Sequence, residues 1–557
     1  GEKCIKLKAL LVASDVTERT FLYLMDLSET ETVAAVLHTL EGINEREVFA
    51  AYGVAGADMH AVLDETGVPA GWFPLLAGYD VLPQFGDQGA GIGEQESESG
   101  LPTMDQGQRT IELPPEVLAH LAAHERIAPA PVELQRIKAR LRALYAAGPG
   151  AKTEDEAAGA DGDDAGEATV SGAHIPIPTE TFLEELSVNM QLHPISVYWL
   201  LEELRAEGVR CKPEEQRLQE DRLSVIVLRL LGHRWPQQIE AGELVPDWAD
   251  ADGIIPISGG APGRPTLTER VRARLRAEDG DLGAQRAEAL LHELTGQSLE
   301  EWLRRAFFKR HVRQFKHRPI AWHFASDPAV AAANAKAKKR LGGRRQPAFE
   351  CMVYYHACGG DILARIRTQY VEPLLRGARQ EREQISRSKD ETGVIQATLR
   401  IQELEEFNRR LQQVAEHGFA SPELDPLLAA EPLDRWSGDG CLAPADRDEL
   451  QRQEQAWRVD LNDGVRVNIA PLQLTGLLAS DVLKAADARK ALADRARWRS
   501  DERRWVRAGK LPRCGWMPEA VPESLEWTRL ASQREAERAK LEEKRRAVRE
   551  RREHAES

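Results

Sequence analysis

Residues 302–324 read WLRRAFFKRHVRQFKHRPIAWHF, residues 335–349 read AKAKKRLGGRRQPAF, and residues 354–370 read YYHACGGDILARIRTQY. Helix-forming and strand-forming chemistry meet in this block. The basic first run suits a helix, and FECMVYY at 349–355 is a short apolar run of strand length. Between 301 and 380 there are 17 Lys and Arg against five acids, Glu301, Asp327, Glu350, Asp361 and Glu372. The aromatic residues Trp302, Phe307, Phe308, Phe315, Trp322, Phe324, Phe349, Tyr354 and Tyr355 are interleaved with these cations. A basic, aromatic-rich segment suits the surface of a polyanion, and nucleic acid is the commonest one. A solvated helix face pairing with acids elsewhere in the fold explains the same composition.

The setting of that block is acidic, with a formal charge of -16 over 557 residues and a pI near 5.5. The length suits roughly three or four domains, and 42% hydrophobic residues support real cores. Six cysteines (Cys4, Cys211, Cys351, Cys358, Cys441 and Cys514) are scattered, with no C-x-x-C pair. Neither a zinc site nor a disulfide framework is indicated, which fits a reducing, cytoplasmic setting. No apolar run approaches a membrane span and no signal-peptide pattern opens the chain, so no membrane association is expected. The chain opens on Gly1 and enters mid-pattern with KCIKLKALLVASDV, which suggests missing upstream sequence.

The expected fold is mainly α and multidomain, with small mixed α/β elements. Residues 1–147 read as a helical domain. LSETETVAAVLHTLEG suggests a helix capped by Ser28 and ended by Gly42, and INEREVFAAYGV repeats the style. Leu134, Ile137, Leu141 and Leu144 mark a further helix. Residues 148–173, GPGAKTEDEAAGADGDDAGEATVSGA, have seven acids and a single Lys, and read as a disordered linker. A helical domain follows at 174–300, broken by a Gly/Pro-rich loop near 252–265, then the basic aromatic block at 301–380. A long helix is expected at about 380–416, within a 381–420 segment. Ala397, Ile401, Leu404, Phe407, Leu411 and Val414 form its apolar face, packed on its own protein or in a coiled coil. A C-terminal segment (421–521) and a charged helical tail (522–557) complete the chain.

Four motifs bear on chemistry. TETFLEELSVNMQLHPISVYWLLEELRAEG at 179–208 has the helix, three-residue turn, helix spacing of a helix-turn-helix, with Pro194 in the first turn of the second helix. That second helix carries Tyr198, Trp199, Glu202 and Glu203 and little positive charge, so a structural hairpin and a groove reader both fit. The glycines of GAGIG at 89–93 lack a preceding strand and a following helix, and read as a surface loop. HACGGDIL at 356–363 has the outline of a methyltransferase cofactor loop, yet Tyr355-His356 stands where Asp-Pro is needed. No Asn-Pro-Pro-Tyr tetrapeptide, which would hold a flipped adenine, occurs anywhere in the chain. Asp327, Glu350 and Asp361 lack nuclease spacing. His193, His233, His311, His317, His323 and His356 each read as packed or phosphate-contacting rather than catalytic.

Longer blocks carry a resemblance. IPIPTETFLEELSVNMQLHPISVYWLLEEL at 175–204, DRLSVIVLRLLGHRWPQQIEAGE at 221–243 and WLRRAFFKRHVRQFKHRPIAWHF at 302–324 look like the C-terminal half of BREX-type and type IIG adenine-specific DNA methyltransferases. YYHACGGDILARIRTQYVEPLL at 354–375 and LNDGVRVNIAPLQ at 461–473 resemble later blocks of that family. The resemblance spans about 175–510. It implies a target-recognition portion with helical spacers, in a bacterial phage-defence system whose methylation marks self DNA. In that family the upstream half binds S-adenosylmethionine and adenine. The chain lacks both signatures, so the resemblance implies that the catalytic methyltransferase domain is absent here and no cofactor is expected in this chain itself.

The resulting expectation is a DNA-binding portion of an adenine-N6 methyltransferase that does not methylate alone. Its partners would be double-stranded DNA, an upstream methyltransferase domain or separate catalytic subunit, and other defence-system proteins. The alternative is a helical scaffold subunit whose basic block docks an acidic protein. The candidate DNA contacts are Arg304, Arg305, Lys309, Arg310, Arg313, Lys316, Arg318, Lys338, Lys339, Arg340, Arg344, Arg345, Arg365 and Arg367. Arg344 and Arg345, after Gly342-Gly343, are the candidate base readers, because the guanidinium fork matches a guanine edge.

Overall fold

A computed structural model describes residues 2–18, 20–83, 115–150, 180–258, 264–315, 319–328, 346–354, 361–388, 390–417 and 475–479. These are mainly helical, with two small sheets, as expected. The chain divides into two compact units. The first takes in 1–223, 235–244 and 287–296; the second takes in 224–234, 245–286 and 297–557.

The first unit is built on α1 (Glu2–Ala13), α2 (Leu27–Ala51), α3 (Pro131–Ala147), α4 (Phe182–Met190) and α5 (Pro194–Ala206), with a two-residue parallel pair, β1 (Leu75–Leu76) and β2 (Arg126–Ile127). Asp26, not Ser28, caps α2. Its carboxylate accepts from Glu29 N at 2.7 Å, and Glu29 returns the bond to Asp26 N at 3.1 Å. The helix also runs straight through Gly42, where the sequence suggested a stop. That glycine serves packing: a Cβ there would lie 2.9 Å from the Gly71 backbone, and Trp72 Nε1 donates to Gly42 O at 2.8 Å.

Packing joins residues from either side of the acidic linker. Leu183, Leu186, Val197, Leu200 and Leu201 share one core with Leu141, Leu144 and Tyr145, which precede the acidic linker. The 179–208 motif is indeed helix, turn, helix, with Gln191 in the left-handed region at φ 53. Helix α5 is enclosed. Ser196 Oγ accepts from Leu76 N at 2.8 Å, Glu203 accepts from Tyr79 Oη at 2.8 Å, and Arg205 pairs with Glu31 and Glu202. A groove-reading helix must offer a free polar face, and the polar residues of this one are spent inside the unit.

The second unit holds a three-stranded antiparallel sheet, β3 (Ile254–Ser258), β4 (Ala321–Ala325) and β5 (Glu350–Tyr354), in the order β3-β5-β4. β5 is the FECMVYY strand. β3 lies where the sequence suggested only a loop, and Pro256 is tolerated because, among the described residues, β3 pairs on one side only. Beyond β4, Ala325 N donates to Leu477 O at 3.1 Å and Ala479 N to His323 O at 2.8 Å, so residues 477–479 extend the ladder.

The long helix expected at 380–416 is two, α6 (Phe307–Gln314) preceding them in the chain: α7 (Glu372–Arg387) and α8 (Glu391–His417). Asp390 breaks them by accepting from Gly393 N at 3.0 Å, an N-terminal cap. Ala397, Ile401, Leu404, Phe407, Leu411 and Val414 are all buried in the protein's own core. The GAGIG loop, residues 151–173 of the acidic linker, residues 356–360 of the HACGGDIL motif and the 461–473 block lie outside the described residues.

Candidate nucleic-acid interface

The site is built on the helix that opens the basic block. Ser298 caps its start, its Oγ accepting from Glu301 N and its backbone N donating to Glu301 Oε2, both at 3.3 Å. A π-helical turn, Trp302–Ala306, then leads into α6. The wider turn inserts one extra residue, so the apolar pairs Trp302/Leu303 and Phe307/Phe308 fall on the same side despite a spacing of five. His311, Val312 and Phe315 complete the buried face.

The opposite face carries Arg305, Lys309 and Arg313, all exposed, at intervals of four residues. Arg313 Nε reaches Lys309 O at 3.4 Å. Among the described residues none of the three has an acidic partner. Like charges at this spacing disfavour the helix by about 0.2–0.5 kcal/mol per pair.

The other described candidates are engaged within the protein. Arg304 is turned into the protein: its side chain is 7% exposed and Nε lies 2.8 Å from Glu350 Oε2, itself 5% exposed. The pair ties the helix to the start of β5. Arg310 bonds Ser224 Oγ at 3.3 Å and Gln314 Oε1 at 3.0 Å. Arg365 pairs with Asp361 at 3.0 Å and donates to Asp252 O at 3.2 Å, and Arg367 lies 3.4 Å from Glu372. Lys316, Arg318, Lys338, Lys339, Arg340, Arg344 and Arg345 lie outside the described residues.

His193, His233, His311 and His323 are buried; His317 and His356 lie outside the described residues. His311 Nε2 accepts from Ile320 N at 2.8 Å and Ala321 N at 3.1 Å. Burial, with Arg310 beside it, pushes the imidazole down to about 3. Burial and Arg304 do the same to His323, again to about 3.

One polar cluster had no reading in the sequence. Tyr370 Oη lies 2.8 Å from Asp252 Oδ2 and 2.9 Å from Ile254 O, and the Arg264 guanidinium sits 4.6 Å from the Tyr370 ring centre. Burial and the neighbouring Asp252 raise Asp250 to about 6. Burial opposes the Asp252 charge, yet hydrogen bonds from Asp250 and Tyr370 outweigh it and hold that carboxyl low. The cluster fixes the start of β3. The Asp-x-Asp spacing before IIPI was the available signal.

Among the described residues no group of three or more His, Cys, Asp or Glu is placed to hold a metal ion, and no helix is long and apolar enough to cross a membrane. What the geometry presents is a row of three exposed cations on a helix packed against β4.

No family model matches the chain. Its sequence is distantly related to an adenine-specific methyltransferase. The relative is the adenine-specific methyltransferase BrxX of Escherichia coli O9:H4 (strain HS), 29% identical over 191 residues. That match takes in 30% of this chain and 14% of the relative's own length.

Proposed function

We propose that this chain is the DNA-recognition portion of an adenine-N6 DNA methyltransferase in a bacterial phage-defence system. The second unit contacts duplex DNA through phosphates at Arg305, Lys309 and Arg313. S-adenosylmethionine and the target adenine are bound by another part of a longer protein, or by a separate catalytic chain. The observation that carries the reading is the stripe of three exposed cations, without an acidic partner among the described residues, in an acidic protein. The distant relation to an adenine-specific methyltransferase supports it, as does the basic composition of the segments around the stripe. Phosphate contacts position a protein, whereas base contacts specify, so sequence choice falls to other groups, with Arg344 and Arg345 the candidates.

The test is Arg305→Ala, Lys309→Ala and Arg313→Ala together, measured as duplex affinity against salt. Three lost phosphate contacts should flatten the slope of log K on log salt by about 2.7, at about 0.9 per contact, alike for all sequences. A folded triple variant with the parent slope refutes the reading and leaves a helical scaffold docking an acidic protein. Calorimetric titration of the chain with S-adenosylmethionine should show no saturable binding.

A further inference from the structure

We propose that His311 is the positioning residue of this basic stripe, clamping the C-terminal turn of α6 to the first residues of β4. The inference rests on the phosphate-contact reading above and gives it a mechanism of pre-organisation.

His311 Nε2 receives two backbone N–H groups, from Ile320 at 2.8 Å and Ala321 at 3.1 Å. Ala321 opens β4 and Ile320 immediately precedes it. A ring nitrogen that accepts must carry a lone pair, so the imidazole is neutral with its proton on Nδ1. The rings of Phe307, at 5.4 Å and nearly parallel, and Phe315, at 4.7 Å, hold it from either side. Nδ1 is buried without a hydrogen-bond partner among the described residues. An apolar side chain would fill the same space without that cost. The polar ring is therefore retained for its acceptor, which ends two strand N–H groups that would otherwise be orphaned.

The placement matters because of what adjoins it. Arg304, beside Arg305, ties the start of the helix to Glu350. His311, two residues before Arg313, ties its end to β4. The three cations thus lie on a rod fixed to one sheet at both ends. Groups already ordered lose less freedom on binding, and so retain more of each contact's affinity.

The experiment compares His311→Phe with His311→Gln. Phe keeps the ring packing and removes the acceptor, whereas Gln offers a carbonyl oxygen at similar reach. Duplex affinity across a salt series and amide exchange at Ile320 and Ala321 are read for both. His311→Phe should speed exchange at those two amides and flatten the salt slope by about one contact. That loss is about eight-fold in affinity at 0.1 M salt, from a slope of about 0.9 per phosphate. His311→Gln should stay within about two-fold of the parent in affinity. If His311→Phe does not fold, His311→Asn, whose shorter stem withdraws the oxygen, replaces it against Gln. A parent slope in the acceptor-free variant overturns the proposal, as does a Gln variant equally impaired. If the triple alanine variant leaves the slope unchanged, the phosphate reading fails and this inference with it. If the triple variant flattens the slope and the His311 variants do not, the positioning role alone fails.

Discussion

Arg304→Met tests the division between cations that hold the fold and cations that face outward. Arg304 and Glu350 form a nearly dry pair at 2.8 Å, with side-chain exposures of 7% and 5%. Without Arg304, Glu350 keeps only Ser258 Oγ, at 3.4 Å, among the described residues. Stranding one member of a buried pair costs about 3–5 kcal/mol, chiefly as the penalty on the charge left behind. With a urea m-value of about 2 kcal/mol/M, the unfolding midpoint should fall by roughly 1.5–2.5 M. Arg304→Met combined with Glu350→Met removes the stranded charge and should regain most of the loss, because apolar replacements of buried pairs are often neutral. Under conditions where Arg304→Met is folded, its salt slope for duplex binding should match the parent's. A single-variant loss under about 1 kcal/mol, or a double variant no better than the single, refutes the argument.

Gly42→Ala should lower stability by about 1–3 kcal/mol in thermal unfolding, since its Cβ would press on the Gly71 backbone at 2.9 Å. Tyr370→Phe removes the hydroxyl that joins Asp252 to Ile254 O, and should cost about 1–3 kcal/mol in urea unfolding. His311 and His323 are held neutral down to about pH 3 in the folded protein, against about 6.5 when unfolded. The unfolded chain therefore binds the extra protons between those values. Their stabilising contribution is complete above about pH 6.5 and is lost as pH falls, by up to about 1.4 kcal/mol per pH unit for each histidine. His323→Phe should remove one histidine's share of that slope when urea midpoints are compared between pH 7 and pH 5; an unaltered slope argues against a neutral, buried ring.

Periodicity carried most of what could be read without coordinates. The stripe from Ala397 to Val414 and the FECMVYY strand were legible because each is a local pattern with one physical solution. Gly42 was misread because a glycine that ends a helix and one that admits a neighbour look alike in sequence. β3 was hidden by Pro256 and its glycine-rich surroundings; only its place at a sheet edge explains the proline. For the site, the excess of cations was legible, but their separate duties were not. Nothing local distinguishes Arg304 from Arg305, since the acid that captures Arg304 lies 46 residues away. The one-residue phase shift of the π-helical turn, which decides which arginine faces in, is equally invisible to a period-of-3.6 count.

The pairing of Ile254 with Val353 has a consequence during synthesis. β3 leaves the ribosome about a hundred residues before β5, its strand partner among the described residues. At about 5–20 residues per second, that is a wait of roughly 5–20 s. Throughout it, IIPIS is a nascent apolar segment able to pair with any passing strand. Pro256 gives it one fewer N–H to offer, the same device that blunts exposed sheet edges. The residue that obscured β3 in the sequence thus also guards it until its partner is made.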